Sequence, residues 1–144
     1  MLRKVLITTA IATTLGFASL PAMASGVNIQ QFGVWNQAGG AQVGVGNQIG
    51  VFQNGILNTA IAKQFGNGNT AAVGQEGFNN YADTWQHGNG NAAGVGQFGA
   101  NHNAILTQDG NGNVAAGVQV GNGCDAAVTQ AGSGNVAAFV QTCP

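Results

Sequence analysis

The chain has 144 residues, 25 of them glycine; 44% are hydrophobic, only 5% are charged, and the formal net charge is −1. Such a chain has no basic patch for nucleic acid and no acidic tail. Few charges and much glycine would suit a disordered segment, but a strict internal period argues against disorder, which has no use for register.

Residues 1–24 read as an export signal: "MLRK" is basic, "VLITTAIATTLGFASL" is apolar, and "AMA" at 22–24 is a small-residue cleavage site. The apolar run is short for a membrane anchor and nothing later replaces it, so no transmembrane segment is expected. Residues 25–144 then form one repeat domain, in which Lys63 stands against Glu76, Asp83, Asp109 and Asp125, a net charge of 1 − 4 = −3.

From residue 31 onward a glutamine recurs every eleven residues: Gln31, Gln42, Gln53, Gln64, Gln75, Gln86, Gln97, Gln108, Gln119, Gln130 and Gln141. Glycine follows two residues later, from Gly33 to Gly132. Asparagine follows five later, at Asn36, Asn47, Asn58, Asn69, Asn80, Asn91, Asn113 and Asn135, with His102 and Cys124 taking two turns of the series. Alanine follows seven later, broken only by Ile49. An eleven-residue period also suits a right-handed helical supercoil. Glycine, at about 1 kcal/mol per helical position, excludes that here. A strand from each Asn to the next Gln, closed by a "GxxN" arc, fits instead, because Gly and Asn tolerate positive φ.

Along such a strand Asn, Ala and Gln share one face, and all five charges of 25–144 lie on the other. Unpaired charges do not go inside, so the amides point to the core. Buried amides need partners, and identical side chains stacked at about 4.8 Å bond one another in ladders along the axis. Alternate arcs read "GVGN" 44–47, "GNGN" 66–69, 88–91 and 110–113, and "GSGN" 132–135; the others are looser. Two half-coils therefore make one coil. The expected fold is all-β, a parallel two-sheet β-solenoid of about five 22-residue coils. One sheet should be smooth and free of charge outside, from Thr70, Ala72 and Gly74 to Val136, Ala138 and Val140. The other should be polar and varied.

The segments "QFGNGNTAAVGQ" (64–75), "QHGNGNAAGVGQ" (86–97), "QDGNGNVAAGVQ" (108–119) and "QAGSGNVAAFVQ" (130–141) resemble the curlin repeat, the strand–loop–strand unit of curli, the amyloid fibres of bacterial biofilms. The family also carries a glycine/asparagine-rich segment before its first repeat, whereas here the repeat begins at 26–33. The resemblance implies a secreted, non-enzymatic fibre subunit without a cofactor. Its partners would be copies of itself, a nucleator subunit and an outer-membrane secretion pore. It would act in adhesion and biofilm matrix at the cell surface. The minor nucleator role and a monomeric glycan- or ice-binding solenoid are the alternatives; the latter wants a ranked array of threonines, and only Thr107 and Thr129 stack.

Two further groups stand out. Cys143 falls one coil above Gly121, across the arc from Cys124, which makes a disulfide the first reading of the pair. Free or intermolecular thiols are the alternative, and a zinc site with His102 lacks a fourth ligand. Tyr81, Asp83, Trp85 and His87 share one outward face, with Lys63 one coil from Trp85. They are a candidate adhesive patch with cation–π support, or an ordinary exposed aromatic cluster. No serine nucleophile lies beside a histidine, and no two acids share an inward pocket.

Overall fold

In the computed structural model, which describes residues 26–144, the chain winds into eleven strands joined by short arcs. They are β1 (Val27–Val34), β2 (Gln37–Val43), β3 (Gln48–Ile56), β4 (Thr59–Phe65), β5 (Thr70–Phe78), β6 (Tyr81–His87), β7 (Ala92–Ala100), β8 (Asn103–Asn111), β9 (Val114–Asn122), β10 (Asp125–Ser133) and β11 (Val136–Cys143). The odd strands form a six-stranded sheet in the order β1-β3-β5-β7-β9-β11, and the even strands a five-stranded sheet, β2 to β10. All pairings are parallel and in coil register: Gln53 lies beside Gln75 and Gln64 beside Gln86. This is the two-sheet β-solenoid that the repeat predicts. The expected signal segment, 1–24, lies outside the described residues.

The strands begin one residue after each asparagine and most run on past the glycine, so β3 includes Gly55 and β5 includes Gly77. The extension arises because arc residues keep pairing with the coil above; Asn79 N–H donates to Ile56 O at 2.9 Å. It also carries Glu76 into the six-stranded sheet, on its outer side between Asn54 and Phe98. The sheet expected to be free of charge therefore holds one carboxylate.

Between the sheets lies a single layer of small apolar side chains. Ile49, Val51, Ala71, Val73, Ala93, Val95 and Ala115 come from the first sheet, and Ala60, Ala62, Ala82, Ala104 and Leu106 from the second. Near the last coil the layer changes size in step. A Cβ on Gly117 would overlap the ring of Phe139, its register partner one coil above. The bulkiest inward residue thus sits over the position with no side chain, as close packing demands.

Every arc is left-handed at the same two positions whatever its sequence. Its first glycine has positive φ, 116° at Gly88, and a Cβ there would overlap the carbonyl oxygen of Gly110 in the next coil. Only glycine satisfies both conditions. The residue before each asparagine is left-handed too. It is glycine in the "GxGN" arcs and at Gly123, but Trp35 (58°), Leu57 (61°), Asn79 (53°) and Asn101 (56°) in the looser arcs.

Candidate functional site

The glutamines stand in two columns along the solenoid axis, one per sheet. From Gln31 to Gln119 each Nε2 donates to the Oε1 of the glutamine one coil on: Gln31 to Gln53 at 2.7 Å, Gln42 to Gln64 at 2.9 Å, Gln86 to Gln108 at 2.9 Å and Gln119 to Gln141 at 3.0 Å. The second N–H crosses the core to the opposite sheet, as from Gln53 to Gln37 O at 2.8 Å and from Gln108 to Ala92 O at 3.0 Å. One side chain therefore ties two coils and two sheets. Gln53, Gln64, Gln75, Gln86, Gln97, Gln108 and Gln119 are buried to within 1% of full exclusion, which is sustainable because their amides are bonded.

All these bonds point one way, and this gives the ends opposite chemistry. At the β1/β2 end, acceptors are left over. Gln42 Oε1 is buried without a hydrogen-bond partner, and Gln31 Oε1 has none among the described residues. At the β10/β11 end, donors are left over. Among the described residues Gln130 Nε2 donates only to Val114 O, and Gln141 Nε2 only to Asp125 O.

The asparagines differ from the expectation of side chain bonding to like side chain. Asn36 Oδ1 accepts from the backbone N–H of Asn58 (3.1 Å), while Asn58 Nδ2 donates to Gly77 O (3.0 Å). The same pattern joins Asn47 to Asn69, Asn69 to Asn91 and Asn91 to Asn113. The shorter side chain, placed where the arc enters the strand, meets main chain before it meets another amide. The exception is Asn135, whose Nδ2 reaches Asn113 Oδ1 at 3.1 Å. Further side-chain amide contacts run outside along the arcs, Asn67 to Asn89 to Asn111 and Asn79 to Asn101 to Asn122. The second position of "GNGN" was the sequence signal for the first of these.

In one asparagine column His102 and Cys124 take over. His102 N–H donates to Asn80 Oδ1 and Cys124 N–H to His102 Nδ1, both at 3.1 Å, so the imidazole accepts through Nδ1 as an asparagine would through Oδ1. That leaves Nε2 as the protonated nitrogen, 3.2 Å from Phe98 O. Cys124 is bonded to Cys143, with Cα atoms 5.6 Å apart. Both imidazole nitrogens face backbone and the sulfur is in a disulfide, so the arrangement is structural and not a zinc site.

Lys63, Tyr81, Asp83, Trp85 and His87 lie together on the outer face of the second sheet, in β4 and β6, with Lys63 the register neighbour of Trp85. The aromatic contact of Trp85 is with His87, the rings stacked at 6.2 Å and 8° to each other, not with the Lys63 ammonium. His87 Nδ1 in turn meets Asp109 at 3.0 Å, one coil on, a partner that the coil spacing of the sequence already implied. Burial, and then the charge of Asp83, raise the Tyr81 phenol above its ordinary range. On the opposite sheet the outer surface forms a shallow apolar trough of about 710 Å³ over Gly50, Ala72, Gly74, Gly94, Gly96 and Ala116.

Stacked amide ladders, glycine arcs and two parallel sheets in coil register define a β-solenoid repeat protein. The curlin associated repeat matches residues 44–77, 77–110 and 104–132, and the chain belongs to the curlin repeat family. Curlin repeats on this fold fit a structural subunit of curli type. No curated protein and no solved structure gives a significant match. Among the described residues no helix is long and apolar enough to cross a membrane.

Proposed function

We propose that the chain is the structural subunit of an extracellular curli-type amyloid fibre, grown by head-to-tail β-stacking and serving adhesion and biofilm matrix at the bacterial surface. The observation that carries this reading is that donors are left over at Gln130 and Gln141 on one end and acceptors at Gln31 and Gln42 on the other. A head-to-tail contact that does not close on itself gives an open filament. The edges of β1, β2, β10 and β11 offer unpaired main chain for the same join. Export through an outer-membrane pore and a start from a nucleator subunit belong to the same proposal, and membership of the curlin repeat family supports them. The Tyr81, Asp83, Trp85 and His87 cluster beside Lys63 is the proposed adhesive surface, since it is partly exposed, aromatic and polar.

Incubating the purified exported chain alone tests the proposal. Fibres that bind amyloid dyes and show a cross-β spacing of about 4.8 Å are expected. A persistent monomer would instead favour a binding module.

A further inference from the structure

We propose that successive subunits are joined with a half-turn between them, so that the first sheet of one copy continues as the second sheet of the next. This rests on the head-to-tail assembly proposed above and adds the geometry of its junction.

With residues 26–144 as the stacking unit, the two sheets differ in strand number. The first sheet has six strands and the second five, so the described solenoid holds an odd number of half-coils. Each half-coil climbs half the strand spacing, about 2.4 Å. If the next copy were added without rotation, its β1 would pair with β11. Its β2, one half-coil higher, would then stand two spacings above β10 and leave an empty slot in the second sheet. An unfilled slot strands main-chain groups of both neighbours. After a half-turn, β1 of the next copy covers β10 and its β2 covers β11, each at one spacing, and both sheets run on without a gap.

The eleven-residue period is what permits the rotation. Glutamine occupies the same inward position in both sheets, and the residue before each asparagine or its substitute is left-handed in both kinds of arc. In the rotated junction the free N–H of Gln141 meets the buried, unpartnered Oε1 of Gln42 in the next copy, and Gln130 meets Gln31. Asn135 Oδ1 likewise faces the backbone N–H of Asn36 in the next copy, continuing the bond that Asn113 Oδ1 makes to Asn135 at 3.0 Å. A head-to-head junction would set donor against donor and is excluded by the same polarity. The aromatic patch and the apolar trough then alternate sides of the filament at intervals of about 26 Å, the height of eleven half-coils.

Cross-linking across the junction tests this. In the rotated junction Val140 lies beside Ala41 of the next copy; in the unrotated one it lies beside Gln30. Two doubly substituted chains, Val140→Lys with Ala41→Glu and Val140→Lys with Gln30→Glu, are assembled and treated with a zero-length carbodiimide. These positions sit at opposite ends of one solenoid, so a link between them joins two copies. At least a ten-fold higher yield is expected from the Ala41→Glu chain by mass spectrometry. The reverse preference, or equal yields, overturns the half-turn. Should the substitutions impair assembly, electron cryo-microscopy of unmodified fibres decides. Subunits related by about 180° and about 26 Å support the proposal, whereas about 29 Å without rotation overturns it. Fibres with an unrotated junction would defeat this inference and leave the fibre function standing; no fibres at all would defeat both.

Discussion

Cys143 is joined to Cys124 across the nineteen-residue interval at which, one coil after another, an asparagine amide reaches a glycine carbonyl. Asn36 bonds Gly55 O, Asn58 bonds Gly77 O and Asn80 bonds Gly99 O; in the last coil of that column a covalent bond closes the same arc. Closing a loop of this size restricts the unfolded chain by about 3 kcal/mol. Reduction should therefore lower unfolding stability by about that amount in denaturant titration. The pair Cys124→Asn with Cys143→Gly, which restores the ordinary repeat, should recover about 1 kcal/mol of the loss. Mass spectrometry of non-reduced secreted protein should find an intramolecular bond and no free thiol; full thiol labelling of assembled fibres would refute it.

The glutamine ladder predicts a steep difference between inside and outside. Gln108→Ala removes the bonds to Gln130 Oε1 and Ala92 O and leaves one of the two Gln86 Nε2 N–H groups without an acceptor, the other still reaching Thr70 O. Each stranded buried group costs about 1–3 kcal/mol, while the exposed Thr70→Ala should stay within about 0.5 kcal/mol of the parent. At the ends the same loss becomes kinetic. Gln42→Ala and Gln130→Ala should slow fibre elongation more than Thr70→Ala, and equal rates would contradict the ladder.

Backbone conformation predicts opposite signs at two arc positions. Gly88→Ala puts a methyl group on the Gly110 carbonyl at a positive φ and should prevent the native coil from closing. Leu57 holds a left-handed conformation, which costs a bulky residue about 1–2 kcal/mol. Leu57→Asn should raise stability by about 1 kcal/mol, since Asn79 and Asn101 take the same place with their amides bonded at 2.9 Å. Thermal unfolding of both variants checks the pair.

Tyr81 is the chain's single tyrosine, so its ionisation is read directly by ultraviolet absorbance. Its midpoint should lie above 10.0, because burial first and the Asp83 charge second disfavour the phenolate. Asp83→Asn should lower the midpoint only partway, leaving the larger effect of burial. A folded-state value raised above the unfolded one stabilises the fold below pH 10, and that contribution disappears as pH rises through the folded midpoint. The loss at alkaline pH should be absent in Tyr81→Phe.

The coil, its length and its buried face were all readable from the order of residues along the chain. The eleven-residue recurrence sets the register of each strand on its copy. Parity places Lys63, Glu76, Asp83, Asp109 and Asp125 opposite the amides, and no stable arrangement buries the charges instead. The glutamine ladders and the proximity of Cys124 to Cys143 were legible for the same reason, since a fixed period turns spacing along the chain into distance in space. The remaining features depend on where main chain passes and on how far strands extend. The asparagines bond backbone because the arc lies nearer than the next amide. Glu76 reaches the smooth sheet because pairing persists past Gln75, and Trp85 meets His87 instead of Lys63. The leftover acceptor on Gln42 and the count of six strands against five are likewise properties of the finished stack, because the ladder partner of each glutamine lies in another coil.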